Sequence, residues 1–149
     1  MPQSLAKILI HIVFSTKGRK PFLKDEDLRK RLHAYIAGIC ANMDAPAIVI
    51  GGTADHVHIL LALPRTRAIS EILMELKTHS AVWMKKNGAP LFQWQGGYSA
   101  FSVSKSQEAE VAKYIRRQKK HHAKKSFMDE LRTLLDKHGI EYDEKYVWD

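Results

Sequence analysis

Apolar and polar positions follow two periods along this chain, and the changes of period divide it into short elements. Lys7–Thr16 (KILIHIVFST) is β-branched and almost continuously apolar, which predicts a strand. Asp25 then offers a helix N-cap, and Leu28, Leu32, Tyr35, Ile36 and Ile39 recur at helical spacing. Ala47–Ile50 and His56–Leu63 are two apolar runs joined by Gly51-Gly52-Thr53-Ala54-Asp55, a hairpin-type connection, and Pro64 closes the second. A second helix carries Ile69, Ile72, Leu73, Leu76 and Trp83 on one stripe. Pro90 and Gly96-Gly97 bracket an aromatic loop with Phe92 and Trp94, after which Tyr98–Val103 alternates as a fourth strand. Gln107–Lys125 reads as one long helical segment. Ser126 with Asp129 forms a capping box for a last helix, and Gly139 stops it.

The order β-α-β-β-α-β followed by two helices matches the split βαβ arrangement. The predicted fold class is α+β: a ferredoxin-like (RRM-like) antiparallel four-stranded sheet with helices on one face, plus C-terminal helices. No repeat, low-complexity tract or linker interrupts the pattern, so residues 1–149 are expected to form a single domain.

Composition adds a partner to this picture. With 45% hydrophobic and 27% charged residues the chain is ordinary for a soluble globular protein. Its apolar runs, Ile8–Phe14 and Ile59–Leu63, are too short to span a bilayer, and the N-terminus lacks a signal-peptide core. The lone Cys40 excludes an internal disulfide and suits a reducing compartment. A cytoplasmic protein with no membrane partner is the expectation. Formal net charge is +8, and between Lys105 and Lys125 eight Lys/Arg face two acids. Such concentration favours a polyanion, although a solvated basic helix face has the same composition.

Two constellations carry candidate chemistry. His56 and His58 stand at i and i+2 on a strand, hence on one face, roughly 7 Å apart along the chain. Two imidazoles so placed can share one ion, and Val57 and Ile59 then point into the helix-covered core. A chance His-x-His pair competes with this reading, since the chain has eight histidines. Tyr114 and Gln118, at i and i+4, share a face of the basic helix. With Val111 and Ile115 they also make the spacing of a packing stripe, so Tyr114 is open to a purely structural role. Gln118 argues otherwise, because an amide on such a stripe needs a partner. A metal ion held by His56 and His58 would give it one. Lys113, Arg116, Arg117, Lys119 and Lys120 crowd the same turns and are expected to attract phosphate and lower the pKa of Tyr114. Imidazole and amide ligands with phosphate oxygens suit Mg²⁺ or Mn²⁺; zinc competes.

These residues resemble the single-tyrosine transposases of the IS200/IS605 group, within the HUH endonuclease superfamily. The resemblance rests on Gly52-Thr-Ala-Asp-His-Val-His-Ile-Leu60, Trp94-Gln-Gly-Gly-Tyr-Ser-Ala-Phe-Ser102 and Tyr114-Ile-Arg-Arg-Gln-Lys-Lys-His-His122, with the tail Gly139–Tyr146 also similar. It implies a DNA transposase in which His56, His58 and Gln118 bind the metal and Tyr114 is the nucleophile. It further implies a 5′-phosphotyrosine intermediate, single-stranded DNA with hairpins as partner, and a homodimer joined at sheet edges in which the tyrosine helix acts in cis or in trans.

Lys17, Arg19 and Lys20, after the first strand, join Arg116, Arg117, Lys119 and Lys120 as candidate nucleic-acid contacts. Trp94 and Tyr98 are candidates for base stacking or for packing against protein. Asp55 is either an acceptor that orients a histidine or a turn residue. Two other functions fit parts of the pattern. A non-catalytic RRM-like module for single-stranded nucleic acid would lack its aromatic strand signature here. A zinc hydrolase using activated water lacks an obvious third His, Cys or carboxylate near the pair.

Overall fold

The computed structural model describes residues 2–149. Its element order is β1 (Leu9–Ser15), α1 (Glu26–Asn42), β2 (Ala47–Gly52), β3 (His56–Ala62), α2 (Ile69–Lys86), β4 (Ser99–Val103), α3 (Glu108–Arg116), α4 (Gln118–His122) and α5 (Phe127–Lys137), with 3-10 turns at Lys17–Arg19 and Lys105–Gln107. The four strands form one sheet in the order β2-β3-β1-β4 with every pair antiparallel. This is the ferredoxin-like arrangement that the sequence pattern predicts.

The central strands β1 and β3 are buried on both faces, which explains why their sequences run apolar without alternation. On one face Ile10, Ile12, Phe14, Val57, Ile59 and Leu61 pack against Leu32, Ile36 and Ile39 of α1 and Ile72, Leu73 and Leu76 of α2. On the other face Leu9 and Leu60 meet Ala112 and Ile115 of α3, while Val13 and Phe101 meet Phe127, Leu131 and Leu135 of α5. The crossover helices therefore cover one face and the C-terminal helices the other. The same parity that turns Val57 and Ile59 to the first core turns His56 and His58 beneath the C-terminal helices.

Caps fix the helix ends. The Asp25 carboxylate accepts from the N–H groups of Asp27 and Leu28 at the start of α1. Ser126 Oγ accepts from Asp129 N–H at 3.2 Å, but the Asp129 carboxylate is held by Arg132 at 3.1 Å. Only half of the expected capping box forms, because aspartate is one methylene shorter than the glutamate that closes it and a guanidinium stands one turn on. Gly139, at φ +66°, ends α5: Gly139 N–H donates to Asp136 O and Ile140 N–H to Leu135 O, the paired bonds of a Schellman turn.

The expected single helix over Gln107–Lys125 is interrupted. Arg117 leaves helical geometry at φ −98°, ψ 18°, and separates α3 from α4. The interruption lets Ile115 pack on Leu60 while Gln118, 1% exposed, turns its amide toward the histidines. A straight helix would have to give up one of these contacts, and the polar one is too costly to leave unmade.

Candidate active site

Strand β3 begins with His56 and His58, both with no exposed surface. Each ring is oriented through its Nδ1. The His56 Nδ1–H donates to Asp55 Oδ1 at 2.7 Å, and His58 Nδ1 is 2.7 Å from His11 Nε2 on the neighbouring strand β1. Both Nε2 atoms are thereby aimed at one point under α3, α4 and α5. Partners behind the rings hold them in the orientation a metal ligand needs. Of its two expected roles, Asp55 thus takes that of the acceptor that orients a histidine.

Four further side chains close on that point. His56 Nε2 lies 2.9 Å from Gln118 Oε1, and the Gln118 amide N–H donates to Glu130 Oε2 at 3.0 Å. His58 Nε2 lies 3.0 Å from Glu130 Oε1. The hydroxyl of half-buried Tyr114 donates a short hydrogen bond to Glu130 Oε2. His122 Nε2 contacts both Gln118 Oε1 at 3.0 Å and Glu130 Oε1 at 3.1 Å. His56, His58, Tyr114 and Gln118, which the sequence singled out, are therefore brought together. Glu130 and His122 join them.

Glu130 corrects the expectation that no carboxylate lies near the histidines. The ligating atoms of His56, His58 and Glu130 all fall within 4.8 Å of one another, and all three residues are buried. A signal for it exists in the sequence: on α5 the stripe Phe127, Glu130, Leu131, Leu135 puts an acid where an apolar residue is due. The cost of burying a polar group without a partner marks Glu130 as it marks Gln118.

The donor set fits a divalent cation. With the His56 Nδ1–H committed to Asp55, His56 Nε2 and Gln118 Oε1 face each other as two acceptors, which need a proton or a metal ion between them. Two imidazoles, an amide oxygen and a carboxylate are ligands that magnesium, manganese and zinc all accept in part.

Electrostatics follow from burial. Burial by itself raises the Glu130 carboxyl, but hydrogen bonds from His122 and His58 outweigh it and hold the group ionised well below the carboxylate range. Burial first, then the adjacent Glu130 charge, pushes the Tyr114 phenol far above its ordinary value. That reverses the expected lowering, because the charge in contact with the hydroxyl is an anion. His122 is raised: burial lowers it, and the Glu130 hydrogen bond and charge more than compensate. The Asp55 carboxyl is raised by burial but lowered further by His56, and its net shift is downward.

The remaining sequence candidates divide. Lys17 and Lys20 are exposed beside the Gly52–Asp55 turn, where Thr16 N–H donates to Asp55 O, so they flank the His56 end of the sheet. Arg19 lies over the Trp148 ring. Arg116, Arg117, Lys119 and Lys120 are exposed, with Lys119 3.8 Å from Glu26. Trp94 is a core residue, 8% exposed, packed edge-on against Phe14 and Phe92 with its indole N–H on Ser80 Oγ. It offers no face to a base. Tyr98 remains 40% exposed.

Known proteins resemble the chain in fold and in sequence. A transposase of Deinococcus radiodurans matches with a TM-score of 0.64 and 24% identity, over 77% of this chain and 95% of that one. A REP-associated tyrosine transposase, solved bound to a REP hairpin, matches with a TM-score of 0.56 and 14% identity, over 77% of this chain and 68% of its own. At those identities the likeness shows a shared fold. No curated protein is similar enough to match. The family model described as "Transposase IS200 like" matches residues 4–118, from just ahead of β1 to the buried glutamine. On that match and the shared fold, the chain belongs to the IS200-like family of Y1 transposases.

Proposed function

We propose that this transposase cleaves and rejoins single-stranded DNA through a covalent bond to Tyr114, with His56, His58 and Gln118 as ligands of a divalent ion. The observation that carries the reading is convergence. A phenol and an amide from α3 and α4 meet two imidazoles from β3, and a buried carboxylate from α5 touches members of both sets.

The Tyr114 oxygen attacks the scissile phosphorus, the bond from phosphorus to the 3′ oxygen breaks, and a 5′-phosphotyrosine remains beside a free 3′-hydroxyl. Glu130 holds the attacking hydroxyl and takes its proton, which passes on through solvent to the departing 3′ oxygen, so no net proton is gained or lost. Asp55 and His11 keep the two imidazoles aimed, so their contribution is positioning. When bound, Mg²⁺ or Mn²⁺ supplies the positive charge that polarises the phosphate and offsets the phenolate. Rejoining reverses the step, since the phosphotyrosine retains the energy of the broken diester. The family reading extends to hairpins at mobile-element ends as substrate and to a homodimer. It also extends to a single domain over 1–149, a cytoplasmic location, and phosphate contacts from Lys17, Arg19, Lys20, Arg116, Arg117, Lys119 and Lys120. A relative bound to a REP hairpin supports the first of these.

Protein incubated with Mn²⁺ and labelled hairpin-bearing strands from its gene's flanks should give a protein–DNA adduct on denaturing gels. EDTA, Tyr114→Phe and His56→Ala should each abolish it. Specific binding with no adduct under any condition would favour a binding module instead. One observation favours a second reading: Glu130 supplies the third ligand that a zinc hydrolase needs. Cleavage that persists in Tyr114→Phe would select that activated-water mechanism.

A further inference from the structure

Two cavities open on either side of Tyr114, and their linings differ in charge. One, of about 590 Å³, lies against β4 and α3 and includes Phe101, Ser102, Gln107 and the acid Glu110, with Lys137, which lines both cavities, as its single Lys or Arg. The other, of about 480 Å³, lies between α4 and α5 and is lined by Arg117, Lys120, Lys124, Lys125 and Lys137 as well as Tyr114 and Glu130. Glu130 is the single acid of that lining, and its oxygens are already engaged by Tyr114, His58, Gln118 and His122. Lys125 donates to Thr133 Oγ1, but among the described residues Arg117, Lys120, Lys124 and Lys137 make no ion pair or side-chain hydrogen bond. His121 also lines this cavity. Its ring lies 4.7 Å from that of Tyr114, and its Nε2 is buried without a partner.

Unpaired cations converging on a concave surface raise the local potential and concentrate anions there. A buried ring nitrogen without a partner is costly and marks a place where a bound group would complete the bonding. Neither His56 nor His58 lines the cavity, so a phosphate seated in it is not the one that meets the histidines. Tyr114 and Glu130 do line it, so the occupant is next along the strand.

We propose that the cavity between α4 and α5 is a dedicated seat for a backbone phosphate adjacent to the scissile one, held by Lys124, Lys137 and His121 together with Arg117 and Lys120. This rests on the DNA-cleavage reading and adds His121, Lys124 and Lys137 to it. The neighbouring cavity sets Glu110 against Lys137 alone and has no comparable excess of positive charge, so the strand has one favoured course past the tyrosine.

The test uses the full chain carrying Tyr114→Phe, in EDTA, titrated against a fluorescein-labelled oligothymidylate across a salt series by anisotropy. Replacing both Lys124 and Lys137 by Ala should weaken binding on the order of tenfold and reduce the slope of log K against log salt by about 1.4, two single-strand contacts' worth. Lys124→Arg with Lys137→Arg should restore both. Lys85→Ala with Lys86→Ala, on the exposed C-terminal turn of α2, should change neither. A wild-type slope in the alanine pair, or an equal loss in the α2 pair, overturns the proposal. Because this readout involves neither metal nor nucleophile, an absent adduct in the wild-type cleavage assay counts against the DNA-cleavage reading alone.

Discussion

His11 and His58 show what burial does to single residues of this site. Their rings stack at 5.0 Å between the sheet and the C-terminal helices. Burial first, then the charge of His58, lowers His11 from 6.5 to about 3. Burial also dominates His58, lowering it to about 4 against the opposing pull of Glu130. Both rings are neutral in the folded state and protonate readily once unfolded. Their contribution to stability is therefore complete above pH 6.5 and is lost as pH falls from there toward 4. In that window the unfolded chain binds more protons. Unfolding free energy in EDTA should fall by about 1.4 kcal/mol per pH unit for each ring forced to protonate. His122 acts above pH 6.5 through its raised pKa and Glu130 below the ordinary carboxylate value, while His33, lowered to about 4 by burial, adds a slope of the same sign that a change at His11 leaves in place. Urea midpoints between pH 7 and pH 5 measure the slope, and His11→Asn should make it shallower. A flat profile would mean that the rings are already solvated.

At the scale of elements, the site depends on how closely α3 lies on the sheet. Gly51 of β2 sits directly beneath it, and a Cβ there would collide with the backbone carbonyl of Ile115. Backbone cannot be moved aside as a flexible side chain can. Gly51→Ala should therefore lift α3, cost about 1–3 kcal/mol, and pull Tyr114 and Gln118 away from the histidines. Equilibrium unfolding measures the first effect and adduct yield the second. At Gly38, within α1, an added methyl would meet nothing within 4 Å. Gly38→Ala should instead stabilise by about 0.5–1 kcal/mol through helix propensity, with adduct yield unchanged. Loss of activity in both variants, or in neither, would sever the proposed link between α3 placement and the site.

For the whole molecule, one sheet separates two cores with different tasks. The crossover side holds the larger apolar cluster, with Cys40 buried in it and its thiol pushed up by burial to about 11. That thiol should react with a disulfide reagent at neutral pH only as the whole fold opens. Its rate should match global unfolding and should not change when metal is added in excess of the unfolding effect. Fast native-state labelling would show that α1 detaches independently. The other side buries His11, His56, His58, Gln118 and Glu130, and there the two sources of information part company. Helix stripes, alternating or continuous strands, the glycine turn before His56 and the Gly139 stop are all local. Each is set by neighbours within a few residues, so the ferredoxin-like order is legible in the sequence. The histidine pair and the Tyr114–Gln118 face are legible for the same reason, being i to i+2 and i to i+4 relations.

Local order along the chain thus sets the elements, their succession, and the side chains each presents on one face. Which faces meet is a matter for the assembled fold. Glu130, His11 and His122 enter the site from α5, β1 and α4, and no spacing along the chain records that α5 folds over β3 to place a carboxylate between histidines more than seventy positions away. The break at Arg117 and the direction of the Tyr114 shift arise in the same way. Both depend on the energy of polar groups leaving water together, which is a property of the packed interior and not of any one segment.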